Sequence, residues 1–347
     1  MRSPFPRRAV AAAGLVLVLA VTGCGRKPET AGPPPGGSGA KPLVVGLVFD
    51  VGGRGDKSFN DAAYAGLERA KQELGIEFVT LESGEGADRE AGLRQLAAGD
   101  AALIFGVGFL FTDDIRRLAQ EFPEKKFAAV DYTLTEGETI PPNLVALKFK
   151  EEEGSYLVGA LAGLLTRTQK VGFVGGMQIP LIKKFEAGYV AGVRATNPEA
   201  EVLIKYAGTT GSAFKDPAKG KELALAEYHQ GADIIFHASG STGLGVFEAA
   251  REQDKLAIGV DSDQNDEAPG NVLTSMVKRV DTAVFETIKA VQEGRWNGGV
   301  QVLGLAENGV AWVYDDRNKA LIPPEAKARL DVLRAEVIAG KVSVPSE

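Results

Sequence analysis

Short apolar, β-branched runs alternate with amphipathic stretches through most of this chain, and that alternation leaves few folds open. The runs are LVVGLVF (43–49), IEFVTL (76–81), AALIFG (101–106), KFAAVD (126–131), NLVALKF (143–149), KVGFVGG (170–176), EVLIKYAG (201–208), DIIFHAS (233–239), LAIGVD (256–261) and NVLTSMV (271–277). Helical patterns separate them near 58–74, 87–98, 112–121, 151–167, 180–195, 216–230, 242–253 and 280–294, with a terminal one near 323–338. Near-continuous apolar strands joined through helices predict parallel sheets covered on both faces. Right-handed crossovers then give doubly wound, Rossmann-like α/β lobes with ligands beyond the carboxyl ends of the strands. Residues 43–347 exceed the usual size of one core, so two such lobes are expected, the second beginning near EEEGSYLVGALAGLL, with the site in the cleft between them.

The first 42 residues bear on location. Arg2, Arg7 and Arg8 precede an apolar stretch too short to span a bilayer comfortably, and VTGC ends in Cys24, the chain's only cysteine. This layout predicts a lipoprotein signal over 1–23, cleavage before Cys24 and lipid on that cysteine; an ordinary secretory signal is the other reading. A Pro-, Gly- and Ser-rich tether continues to residue 42. The expected location is therefore a membrane face, anchored by lipid and turned to the periplasm or exterior. The formal charge of −7 includes the three signal arginines, so the mature chain is more acidic still. Such a surface disfavours nucleic acid. A single cysteine also leaves no internal disulfide.

The stretch VFDVGGRGDKSFND (48–61) looks like a ligand loop, but not a phosphate loop. Asp56 precedes Lys57-Ser58 where a Walker loop needs glycine, and a carboxylate there would repel phosphate. The dinucleotide fingerprint fails at Ser58, where its third glycine should stand. Arg54-Gly55-Asp56 spells an adhesion tripeptide of the kind that recurs by chance. Ser58 is the expected helix N-cap, followed by an apolar stripe of Phe59, Ala63, Leu67, Ala70 and Leu74. Asp50, Asp131, Gly240 and Asp261 all fall at predicted strand ends, as the lining of a cleft would. His229 reads as a surface helix end and His237 as a strand residue near the cleft, so no metal site is expected. No nucleophile elbow is present. Lys183-Lys184 and the Glu151–Glu153 run read as solvated helix faces.

Taken together, DVGGRGDKSFND, GSYLVGALAGLLT (154–166), VGFVGGMQIPLIKKFEAGYVAGVRA (171–195), DPAKGKELA (216–224), GSTGLGVFEAA (240–250), GVDSDQ (259–264) and VLTSMVKRVDTAV (272–284) resemble the basic membrane lipoproteins, purine-nucleoside-binding components of ABC importers. The resemblance implies a type I periplasmic-binding-protein fold, two lobes on a hinge. Lobe 1 would comprise 43–148 plus about 278–303, and lobe 2 149–277 plus about 304–347. It implies that Phe59 and Phe214 sandwich the purine, that Asp131 reads the base edge with Asn60 nearby, and that Asp50, Gly240, Asp261 and Lys278 contact the ribose. Implied partners are a permease and an ATPase, for a monomeric receptor that is not an enzyme and carries no cofactor. A nucleoside hydrolase and a non-transporting sensor are the competing readings. Tyr64 and Asp61 depart from the commoner Trp and Gln of the family. The choice among adenosine, guanosine and inosine stays open, with a slight tilt to 6-oxopurines.

Overall fold

The computed structural model describes residues 41–83 and 88–347. Cys24 and the tether up to residue 40 lie outside them. In chain order the elements are β1 (Val44–Phe49), α1 (Phe59–Leu74), β2 (Glu77–Glu82), α2 (Asp88–Ala98), β3 (Leu103–Val107), α3 (Thr112–Glu121), β4 (Lys126–Val130), β5 (Leu144–Phe149), α4 (Glu151–Leu165) and β6 (Lys170–Met177). They continue with α5 (Pro180–Thr196), β7 (Glu201–Gly208), α6 (Pro217–His229), β8 (Ile234–Ala238), α7 (Gly243–Gln253), β9 (Leu256–Asp261), β10 (Val272–Lys278), α8 (Val280–Gln292), β11 (Gly299–Leu303), β12 (Val310–Trp312) and α9 (Pro324–Ile338).

The strands form two six-stranded sheets, ordered β11-β5-β4-β3-β1-β2 and β12-β10-β9-β8-β6-β7. Each centres on strands that are buried on both faces, which is why their sequences are nearly all apolar. The chain passes between sheets after β5, after β10 and after β11. The first sheet is parallel throughout, whereas β12 joins β10 antiparallel at the edge of the second. Neither β11 nor β12 is legible in the sequence. Val300 and Val302 of β11 are exposed, and β12 is three residues long, so neither carries the apolar run that marks a buried strand.

One apolar cluster covers a face of each sheet without a break. It runs from Val45, Leu47 and Phe105 under α1 and α8 to Phe173 and Phe236 under α4 and α5. Separate clusters under α2 and α3, and under α6 and α7, cover the opposite faces. Helices α4 and α5 touch backbone to backbone. A Cβ on Gly159 would lie 2.2 Å from the Tyr189 carbonyl oxygen, and one on Gly192 would lie 2.0 Å from that of Tyr156. The glycines of GSYLVGALAGLL therefore set this close approach, and with it the nearness of the two helix starts that border the cleft.

One buried group opposes this packing. Glu227 of α6 is fully buried beside Gly172 and Ile235, and among the described residues no donor reaches either carboxylate oxygen. Burial pushes its carboxyl up to about 9, so it is protonated at neutral pH. Because its folded pKa lies above the unfolded one, its contribution is fullest below about pH 4 and declines as pH rises towards 9. Glu227→Met removes the unsatisfied group at similar volume. It is expected to raise unfolding free energy by about 1–3 kcal/mol. The gain should grow from pH 5 to pH 9 in urea titrations.

Candidate functional site

The loop between β1 and α1 is organised by Asp56. Its carboxylate accepts the backbone N–H of Ser58 (3.0 Å), Asn60 (2.8 Å) and Asp61 (3.1 Å), satisfying donors that a helix start leaves open. Asp56 thus does the capping expected of Ser58, whose side chain makes no cap bond. Ser58 is committed elsewhere: its Oγ donates to Asp261 Oδ2 at 2.6 Å, on the other lobe. Ser262 Oγ returns a bond to the Ser58 carbonyl at 3.0 Å, and Gln264 Nε2 donates to that of Lys57 at 3.0 Å. Asp56 is buried, so Arg54-Gly55-Asp56 presents no accessible carboxylate for adhesion. Asp61 faces back into the loop, paired with Arg54 at 2.7 Å.

Between the sheets lies a narrow recess whose empty space, open mouth included, is about 530 Å³. Asp50, Phe59, Asn60, Asp131, Phe214, Gly240, Asp261 and Lys278 all line it. Asp50, Asp131 and Asp261 stand at the ends of β1, β4 and β9. Asp131 and Asp261 are held at φ 61° and 63°, a left-handed backbone uncommon for side chains other than Asp and Asn. Gly108 (φ 107°) lies so close over Asp50 that a Cβ there would fall 2.1 Å from Oδ2. Asn60 fixes Asp50 from behind: its amide oxygen accepts the Asp50 N–H at 2.9 Å, while its amide nitrogen donates to Asp56 at 3.1 Å. The Phe214 ring rests on Gly176, where a Cβ would come within 2.2 Å of it, and meets the Phe109 ring edge-on at 6.3 Å. Phe59 is half-buried at the first turn of α1.

The recess is lined by buried carboxyl groups. Burial first, with the Asp131 charge adding to it, pushes the carboxyls of Asp50 and Asp261 up to about 7. His237, buried behind Ser239, is pushed down to about 4 by burial and sits as a neutral ring against Gln264 Oε1 at 3.0 Å. His229 is exposed at the end of α6.

Lys278 is the cation at the centre. Its ammonium lies 2.6 Å from Asp131 and 3.0 Å from Glu151, and 5.1, 5.0 and 5.7 Å from the ring centroids of Phe59, Phe149 and Phe185. Burial alone would lower its pKa, but Asp131, Glu151 and Asp261 outweigh that and hold it above the usual amine range. The solvated-face reading of the glutamate and lysine runs is wrong for their inner members. Glu151 is fully buried, and Lys184 bridges it at 2.6 Å while also donating to the Phe149 carbonyl at 2.5 Å. The first turn of α4 faces inward at the crossover, a placement that a run of three glutamates does not disclose. Lys183 is half-buried and pairs with Glu186 at 2.7 Å.

Among solved structures, an ABC transporter solute-binding protein of Aeropyrum pernix K1 superposes with a TM-score of 0.80 at 30% identity, covering 88% of this chain and 94% of that one. One from Conexibacter woesei matches at 0.71 and 27%, covering 88% and 99%. Fold and cleft thus define a solute-binding protein of the periplasmic-binding-protein class. Residues 43–347 match the model of the PnrA-like ABC transporter substrate-binding proteins (Bmp), and the chain belongs to that family. It is 33% identical to the ABC transporter nucleoside-binding protein BmpA of Lactococcus lactis over 98% of both chains. A CD4+ T-cell-stimulating antigen of Listeria monocytogenes is 36% identical over 89% of both. A lipoprotein of Pyrococcus horikoshii of uncharacterised role is 38% identical, covering 94% of this chain and 82% of its own.

Replacing Lys278 with Met leaves Asp131 and Glu151 buried without the charge between them. The expected loss is about 3–5 kcal/mol of unfolding free energy. Adding Glu151→Gln to Lys278→Met should recover part of it, as read by urea titration of both variants beside the parent.

Proposed function

We propose that the recess binds a purine nucleoside and that the protein hands this ligand to the permease and ATPase of an ABC importer, acting by binding and closure rather than by catalysis. The observation that carries the reading is the convergence of two half-buried phenylalanines, from opposite lobes, with the carboxylates of Asp50, Asp131 and Asp261 in one recess. A purine is a flat π-system, and stacking on an aromatic ring contributes about 1–3 kcal/mol per base. Phe59 and Phe214 supply the two platforms. Asp131, balanced by Lys278, meets the base edge, with Asn60 holding the neighbouring loop. Asp50 and Asp261 accept the ribose hydroxyls, with Gly240 and Lys278 beside the sugar. The name of the Lactococcus relative, nucleoside-binding, supports the nucleoside part of this reading.

The lobes close around hinge segments after β5, β10 and β11, so lobe 1 comprises residues 43–148 and about 278–303. A ligand touching both lobes favours the closed form that the permease engages. Lipid on Cys24 and the tether to residue 42 keep the receptor, as a monomer, on the outer side of the cell membrane. The names of several relatives as lipoproteins support the anchor. Among the described residues no helix is long and apolar enough to cross a membrane.

Calorimetric titration of residues 25–347 with nucleosides, nucleobases, nucleotides and sugars tests the reading. Adenosine, guanosine or inosine should bind, and the matching 5′-monophosphate should bind far more weakly because its phosphate meets carboxylates. Sugar binding without a nucleoside response would overturn the assignment. Phe59→Ala should weaken binding roughly 5- to 150-fold, the equivalent of one stacking platform, with an unchanged unfolding midpoint.

Affinity should also depend on pH. Hydroxyl donors favour ionised Asp50 and Asp261, whose carboxyls titrate near 7 in the free protein. Binding therefore releases protons, and affinity should rise as pH goes from 5 towards 8. Titration in buffers of different ionisation heat measures that release.

A further inference from the structure

Phe109, Asp131 and Leu181 line the recess and also a neighbouring chamber whose empty space, open mouth included, is about 1000 Å³. Its additional walls come from both lobes. Tyr132, Leu134 and Phe149 face it from one side, and Ile179 and Pro180 from the other. Leu134 stays 37% exposed there, an apolar side chain that none of the described residues covers fully. A plain nucleoside held between Phe59 and Phe214 leaves this space, apolar on these walls and bordered by Lys148, Glu151, Lys184 and Glu347, to water.

We infer that the chamber receives an apolar substituent on the base edge of the bound nucleoside, so that ligands include purine nucleosides alkylated or arylated at position 6. The inference rests on the nucleoside reading above, and within it on Asp131 meeting the base edge. Because Asp131 borders both spaces, a group attached at that edge points to the wall that the recess shares with the chamber. An N6-substituted adenosine keeps one N–H, so its bond to the Asp131 carboxylate survives substitution. Its alkyl or aryl arm then exchanges water for Leu134, Ile179 and Pro180, which favours binding in proportion to the apolar area covered. A group on the ribose 5′ carbon, on the far side of the molecule from that edge, gains nothing from the chamber.

The test compares adenosine, N6-benzyladenosine and 5′-benzylthio-5′-deoxyadenosine by calorimetry on residues 25–347 and on Leu134→Asp. Leu134 lines the chamber and not the nucleoside recess, so adenosine affinity should be the same in both proteins. N6-benzyladenosine should bind the parent at least as tightly as adenosine and lose about tenfold or more on Leu134→Asp, the effect of placing a charge against an apolar arm. The 5′-benzylthio compound should bind more weakly than adenosine. The chamber assignment is overturned if adenosine binds while N6-benzyladenosine is weaker than it, or if Leu134→Asp shifts both ligands equally or neither. It is also overturned if the 5′ compound is the one that Leu134→Asp weakens. Failure of every unmodified nucleoside to bind would instead reject the nucleoside reading itself.

Discussion

A single buried ammonium holds the centre of this molecule. Lys278 leaves the end of β10, where the chain returns towards the first sheet, and lies against Asp131 from lobe 1 and Glu151 from the first crossover. No one of these charges could be buried alone. Removing an ion from water costs several kcal/mol even after relaxation, and the penalty is met only when partners satisfy the group closely. Lys278 therefore requires Asp131 and Glu151 where they are, and Glu151 in turn requires Lys184. The tight α4–α5 packing through Gly159 and Gly192 brings the last pair together. Core packing and site electrostatics are thus one constraint seen at two distances.

The same economy appears in the loop that follows β1. Asp56 satisfies the helix start, freeing Ser58 to cross the cleft to Asp261 and Asn60 to brace Asp50. Each acidic side chain that borders the recess is fixed by neighbours before any ligand arrives. Asp131 and Asp261 are turned inward by a left-handed backbone, and Asp50 is pressed under Gly108. A rigid, partly protonated set of acceptors suits hydroxyl and N–H donors and opposes phosphate. Such preorganisation spares the ligand the entropy of ordering its own site.

Much of the fold was legible along the chain because a strand buried on both faces must be apolar throughout. The runs at 201–208 and 256–261 coincide with β7 and β9, and the pattern at 112–121 with α3. β11 and β12 escaped because edge strands are half-exposed or short and leave no apolar signature. In the site, Asp50, Asp131 and Asp261 announced themselves as carboxylates at strand ends, and Gly240 as the start of a glycine-containing loop after a strand. Phe214 and Lys278 came only through resemblance to a family, and Glu151 came through neither route. Its neighbours in sequence are two more glutamates, and only Glu151 is turned fully into the core.

What the sequence by itself determined was the alternation of buried strands and helices, the strand-end acids and the membership in a binding-protein family. The first two follow from local composition and periodicity, which act within a few residues; the third follows from the resemblance of motifs along residues 43–303 to those of a known family. Only the tertiary structure decided which acids share Lys278, that Asp56 rather than Ser58 caps α1, and that Ser58 spans the cleft to Asp261. Those outcomes depend on charges brought together from distant parts of the chain, and charge pairing in a desolvated interior is set by distances that no local pattern encodes.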